Sequence, residues 1–236
     1  LMGSSLPLLV YWIAKPITNP KHAVESAALS LCLPLAGFLG LLAVPDVPLV
    51  FFGLLAIGFF ERALRTDQLL HWALTGLFVA LGLCTHYRFF LYPAAAILFL
   101  TCFTAAQTQW KNPRLWLCIL IACLGLIPTV WFNVSNQLSS ASFYFVDRHP
   151  WEFQASGLLH LFKQAGLATP GLYLLFVYTI VLMYQKANLG DRSAALLLSF
   201  SLVNVLVYLL LAPWTDATST SIHWPLSGYF PLLIYL

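Results

Sequence analysis

Long apolar runs separated by short polar breaks organise this chain. The runs cover residues 6–14, 23–44, 47–60, 69–84, 89–106, 115–132, 170–184 and 194–212, with another starting at 230. A helix rises about 1.5 Å per residue, so about 20 apolar residues cross a hydrocarbon core. None of the runs shows the every-second-residue alternation of a membrane barrel, and they read as helices. Pro34 lies inside the second run, and Pro93 falls in the first turns of the fifth, where its missing N–H costs least. The pattern predicts an all-α, polytopic transmembrane helical bundle. The chain opens within one run and ends within another, so the expectation is a fragment of a single transmembrane domain over 1–236, with about seven complete and two partial spans. An N-terminal span, a first outer loop and a C-terminal part would then lie outside it.

The polar breaks carry the topology. The longest, 133–157, is too polar for lipid, and 158–166 (LLHLFKQAG) is short and amphipathic, as in a helix lying on the membrane surface. Residues 133–167 are therefore read as an extracytoplasmic loop with an interfacial helix. Alternating the loops puts Lys15, Lys21, Arg62, Arg65, Lys111, Arg114, Lys186 and Arg192 on one side and Arg88, Arg148 and Lys163 on the other. The excess of basic residues assigns the first side to the cytoplasm. Asp46, the 85–88 turn, the 133–157 loop and the 215–229 loop then share the outer face.

Composition agrees with this and excludes other classes. Hydrophobic residues make up 61% of the chain, charged residues 8%, and the mean hydropathy is +0.85. Soluble domains carry about 25% charged residues, so this chain cannot cover a water-facing surface. The net charge of +3 is dispersed with no basic cluster, which argues against a nucleic-acid partner. Cys32, Cys84, Cys102, Cys118 and Cys123 all sit in apolar runs without CxxC spacing and read as inert thiols. No cofactor is fixed by the residues; a divalent metal stays open, because no ligand set is complete within this stretch.

The candidate chemistry centres on Pro45-Asp46-Val47-Pro48, a carboxylate between two prolines with apolar runs on both sides. A charge so close to hydrocarbon costs up to ~3 kcal/mol at a helix centre and less near the interface. Two readings stand for Asp46: the N-cap of the third span, or a catalytic carboxylate. The other outer loops bring His86, Tyr87 and Arg88; Tyr144, Asp147, Arg148, His149, Trp151 and Glu152; and Trp214, Asp216, His223, Trp224 and Tyr229. Aromatic faces with cations suit a sugar and a phosphate at a membrane surface. Each also has an ordinary reading: an aromatic belt, a snorkelling Arg88, a local Asp147–Arg148 pair, or an interfacial turn at His223-Trp224-Pro225. Asn133-Val134-Ser135 fits a glycosylation sequon at a poorly accessible span end.

Several strings resemble the polytopic GT-C glycosyltransferases related to the dolichyl-phosphate-mannose–protein mannosyltransferases, most closely the bacterial branch containing the aminoarabinose transferase of lipid A. Ala43-Val44-Pro45-Asp46-Val47-Pro48-Leu49-Val50-Phe51-Phe52 is similar to that branch's Thr-Pro-Asp-x-Pro-Leu-x-Phe-Phe pattern. Gly82-Leu83-Cys84-Thr85-His86-Tyr87-Arg88 falls where its Gly-Leu-x-Ser-Lys-Tyr element does. Pro128 to Asn133, Ser142 to Phe145, Arg148-His149 and His223-Trp224-Pro225 follow in order. The resemblance implies a membrane glycosyltransferase of the bacterial inner (cytoplasmic) membrane, its site facing the periplasm or exterior. It would take a polyprenyl-phosphate-linked sugar and an acceptor that is a lipid, glycan or protein, with membrane lipid around it. By that resemblance Asp46 is a catalytic acid/base or charge-positioning carboxylate, His86 and Arg88 (with Tyr87 between them) lie near the donor phosphate, and Arg148, His149 and His223 line substrate. Two departures stand out: His86 replaces the usual Lys, and the family's first-loop acids fall before Leu1. The rival class is a transporter or flippase of a lipid-linked saccharide, which calls for ionisable groups at mid-bilayer and broken helices in repeated halves.

Overall fold

The computed structural model describes residues 1–34, 37, 44–148, 151–215 and 223–236, and every regular element among them is helical. Helix α1 spans Met2–Ala14. Helix α2, Pro20–Leu31, starts where the Asn19 side chain accepts the His22 N–H at 3.0 Å and Pro20 takes the first turn. Much of the second apolar run, including Leu41 to Ala43, lies outside the described residues.

Helix α3, Asp46–Thr66, has 21 residues and continues well past the predicted end at Phe60. Its last turns hold charges that find partners within the helix and on α1. Arg62 lies 3.6 Å from the Trp12 ring centre and donates to the Trp12 and Gly58 carbonyls at 2.7 and 2.9 Å. Glu61 and Arg65, one turn apart, pair at 3.2 Å. Helix α4, Leu69–Leu83, runs back. A 3₁₀ turn, Tyr87–Phe90, feeds α5, Leu91–Cys102. At Phe103 the direction changes by 104° into Thr104–Lys111, so the fifth run is broken where its hydropathy gives no sign of it.

Helices α6 (Pro113–Leu124) and α7 (Ile127–Ser135) form a 23-residue apolar stretch that is only 17% buried and exposes Trp116, Leu120, Leu124 and Trp131. Short helical turns cross 139–147. Helix α8 (His160–Leu167) then meets α9 (Pro170–Asn188) at 106°, and α10 (Arg192–Leu211) and α11 (Leu226–Tyr235) follow. Side-chain capping recurs at α10, where Asp191 accepts the Ala194 N–H at 3.0 Å.

Three stretches, Asp46–Thr66, Pro113–Ser135 and Arg192–Leu211, are long and apolar enough to cross a membrane alone. The count is five if each bent pair is one span, and α1, α4 and α11 are apolar but shorter. This is an all-α, multi-pass membrane protein, with fewer uninterrupted spans among the described residues than its hydropathy predicts.

Contacts run α1–α2, α1–α3, α3–α4, α4–α6, α5–α10, α9–α10 and α10–α11. Between lipid-bathed helices, close approach replaces the hydrophobic effect as the source of association, and small residues allow it. A Cβ on Gly76 would lie 2.5 Å from the Cys118 carbonyl, and one on Gly228 would lie 2.9 Å from that of Ser201. Phe60 packs edge-on against Trp72 and Phe99 at 5.8 and 6.0 Å. The antiparallel arrangement gathers the start of α3, the end of α4, the start of α5, the end of α10 and the start of α11 at one end. Arg62, Arg65, Arg114 and Arg192 gather at the other.

Candidate functional site

Asp46 is the first residue of α3, and Pro45, in helical conformation, precedes it as the cap with no side-chain capping bond. The N-cap reading of Asp46 is therefore not the observed arrangement. Its carboxylate points across the bundle, and its side chain is 10% exposed. Oδ1 accepts from Nη2 of Arg88, and Oδ2 lies 3.3 Å from Nε2 of His223. Residues 42 and 177 positions away thus meet at one carboxylate, which links α3, the α4–α5 turn and the start of α11.

Local chemistry aims Arg88 at this point. Thr85 Oγ1 donates to the Gly82 carbonyl at 2.6 Å and closes α4. His86 caps the 3₁₀ turn, its Nδ1 accepting the Arg88 backbone N–H at 3.2 Å. Phe89 stacks on Tyr92 at 4.6 Å and fills the space above Gly82, where no Cβ would fit. Arg88 is left 6% exposed and directed inward. The capping bond requires a lone pair on Nδ1, so neutral His86 carries its proton on Nε2. Burial, with Arg88 beside it, pushes the His86 pKa down to about 4, so the ring is uncharged at neutral pH.

Trp224 joins the two halves of the site. The Arg88 guanidinium lies 4.7 Å from its ring centre and that of Arg148 lies 5.4 Å away, with Arg148 also 5.8 Å from Tyr144. Tyr144 in turn packs on Tyr87 at 3.9 Å, and Tyr87 on His86 at 4.4 Å. Among the described residues, Nε of Arg88 and Nε of Arg148 are buried without a hydrogen-bond partner. Two cations with unspent donors thus lie against one indole ring, and Asp46 pairs with one of them.

A cavity of about 370 Å³ opens beside this cluster, lined by Tyr87, Arg88, Tyr144, Tyr208 and Trp224 among others. A second, apolar cavity of about 300 Å³ lies among α3, α4, α5, α6 and α10, and Phe90 lines both. Among the described residues no group of three His, Cys, Asp or Glu side chains comes together to hold a metal ion.

The sequence candidates Asp46, His86, Tyr87, Arg88, Arg148 and His223 are brought together here. His149 and Asp216 lie outside the described residues. Asp147 accepts from Ser142 Oγ at 3.3 Å, and Arg148 faces the aromatic rings instead of its neighbour. Asn133 spends its side chain on the Thr129 carbonyl and the Ala141 N–H, at 2.9 and 3.0 Å. Trp224 stands in the sequence among the aromatic residues of the last outer loop and in the His-Trp-Pro string, with nothing to single it out as the ring that both cations reach. Tyr208 lies inside an apolar run that gives no signal at all.

Among known families, the one described as dolichyl-phosphate-mannose-protein mannosyltransferase matches residues 1–132. That stretch contains Asp46, His86 and Arg88 and ends before Arg148 and His223. No curated protein and no solved structure matches the chain.

Proposed function

The chain belongs to the dolichyl-phosphate-mannose-protein mannosyltransferase family, and on that premise we propose that it moves a sugar from a polyprenyl-phosphate donor to a lipid, glycan or protein acceptor on the extracytoplasmic face of a bacterial inner membrane. The observation that carries this reading is the pair of guanidiniums on Trp224, each with a buried Nε lacking a partner. Such a pair suits a phosphate whose negative charge grows as it leaves. The shared wall at Phe90 supports a donor with a charged head in one cavity and an apolar chain in the other.

In this mechanism Arg88 and Arg148 hold the departing phosphate, and Tyr87, Tyr144 and Trp224 give the sugar flat faces to rest on. Asp46 positions Arg88 and His223. A single displacement, with acceptor oxygen and phosphate on opposite sides of the anomeric carbon, inverts its configuration. His86, neutral and engaged as a cap, contributes shape and a donor N–H to the donor end. Residues 133–167 form the outer loop over this end, with α8 on the membrane surface, as its near-perpendicular meeting with α9 supports.

The test is transfer in membranes carrying the full-length protein, with a panel of radiolabelled undecaprenyl-phosphate pentoses and hexoses set against the corresponding nucleotide sugars. Transfer from a lipid-linked donor that falls on Arg148→Gln is the expected result. Equal use of nucleotide sugars, or transfer indifferent to Arg148, would overturn the reading.

A further inference from the structure

We infer that Asn204, inside α10, is a positioning residue that acts through Trp224. It clasps the first turn of α11 and so holds the indole where Arg88 and Arg148 both reach it. The inference rests on the glycosyl-transfer reading above and names what keeps the donor end of that site in register.

Asn204 lies well inside α10, a stretch apolar enough to cross a membrane, and is 1% exposed. An amide in that setting must find its partners within the protein. Nδ2 donates to the Phe200 carbonyl one turn back at 2.9 Å, and Oδ1 accepts from Ser227 Oγ at 3.1 Å. The second bond crosses between helices. Ser227 is itself buried and sits in the first turn of α11, three residues after Trp224. The two backbones come close enough for so short a side-chain bond. A Cβ on Gly228 would lie 2.5 Å from the Val205 side chain and 3.2 Å from the Asn204 backbone.

The same face of α10 touches the indole directly. Tyr208, one turn on from Asn204, packs against Trp224 with ring centres 5.5 Å apart, and both rings line the cavity beside Arg88. Trp224 is therefore seated on α10 at two points, its ring on Tyr208 and its backbone, through Ser227, on Asn204. The seat matters because a cation–π attraction holds only to about 6 Å. Arg148, at 5.4 Å from the ring centre, has little to spare if the indole shifts.

Ser227 separates this role from plain scaffolding. Its Oγ also lies 3.3 Å from the Trp224 carbonyl, and a hydroxyl has one proton to donate. Without the Asn204 amide, that proton turns to the Trp224 carbonyl and the start of α11 stays satisfied. What is lost is the tie to α10, so the indole loses its register while the helices keep their fold.

The experiment uses the full-length protein in membranes with the same panel of undecaprenyl-phosphate sugars. Asn204→Leu is expected to raise the donor KM by about 3–10-fold, the range one interhelical hydrogen bond in a membrane supports, with turnover at saturating donor kept. Ser227→Ala removes the same bond from the other helix, should act alike, and decides the matter if Asn204→Leu does not insert. In a Trp224→Ala background neither substitution should raise the KM further, because the ring they position is gone. A purely structural role would instead lower the unfolding temperature and act equally with and without the indole. A KM unmoved by both substitutions, or a rise of the same factor in the Trp224→Ala background, overturns the inference and leaves the glycosyltransferase reading standing. A wild type that uses no lipid-linked sugar of the panel defeats that reading and the role of Asn204 with it.

Discussion

The Arg88 guanidinium lies over the Trp224 ring, 4.7 Å from its centre, on the indole that also carries Arg148 at 5.4 Å. Two like charges on one ring repel each other, and Asp46 offsets only one of them. An anion close to both would relieve that repulsion, and in the proposed reaction the departing phosphate is that anion.

Removing the indole should therefore weaken donor binding before it affects the protein's fold. Each cation–π contact is worth about 0.5–2 kcal/mol, so Trp224→Ala is expected to raise the donor KM by about 10-fold or more. Trp224→Phe keeps a ring face and should lose less. Steady-state transfer with varied donor checks this; a donor KM unmoved by Trp224→Ala would detach the indole from the site.

Arg88→Lys should act as a drastic change. An ammonium reaches one partner at a time and cannot both pair with Asp46 and lie flat on Trp224. Turnover is expected to fall by about 10–100-fold in a correctly inserted protein, a loss of roughly 1.4–2.8 kcal/mol of transition-state stabilisation. Arg88→Met goes further by removing the main partner of a buried carboxylate. Breaking such a pair costs about 3–5 kcal/mol, read as a lower unfolding temperature in detergent.

Asp46 was legible from sequence because two prolines and two apolar runs isolate it, and Arg88 because it follows a Gly-Leu run at a span end. Their meeting was not, since hydropathy ranks segments and says nothing about which helix ends adjoin. The N-cap alternative failed for a local reason: Pro45 occupies the cap position, and Asp46, one residue on, is free to turn toward Arg88. The length of α3 was misjudged because Glu61, Arg62 and Arg65 look like a loop until Trp12 is seen beneath Arg62. Tyr208 carries no sequence signal, since a tyrosine in an apolar run is ordinary until its neighbours are known.

His86 makes a pH prediction. Its folded pKa, about 4, lies below the ordinary histidine value, so the unfolded chain binds the extra proton first as pH falls. Stability from this group is full above about pH 6.5, declines as pH drops through that value, and reaches its floor near the folded pKa. His86→Asn keeps an acceptor for the Arg88 amide and does not titrate. The variant should show a shallower fall of unfolding temperature between pH 6.5 and 4 than wild type. An identical slope would mean that His86 is not buried neutral.

The opposite end of the bundle offers a control that leaves the site untouched. Asp67 ends α3 with φ of 50° and ties three helices together. Oδ1 accepts from Trp72 Nε1 at 3.0 Å and Asn112 Nδ2 at 2.8 Å, and Oδ2 accepts from Arg114. These bonds, that of Asn112 foremost and then that of Trp72, hold the Asp67 carboxyl below its ordinary pKa. Its contribution is therefore present above about pH 4 and lost as pH falls further. Asp67→Ala leaves the N–H of fully buried Trp72 without a partner, and one orphaned buried donor costs about 1–3 kcal/mol. Asp67→Asn tolerates the left-handed backbone and keeps one acceptor oxygen, so it should lose less. Thermal unfolding in detergent at neutral pH is expected to rank wild type above Asn above Ala, with turnover per folded molecule equal in all three. A loss of turnover without a loss of stability would mean that the two ends of the bundle are coupled, and the separation between scaffold and site drawn from the helix contacts would have to be abandoned.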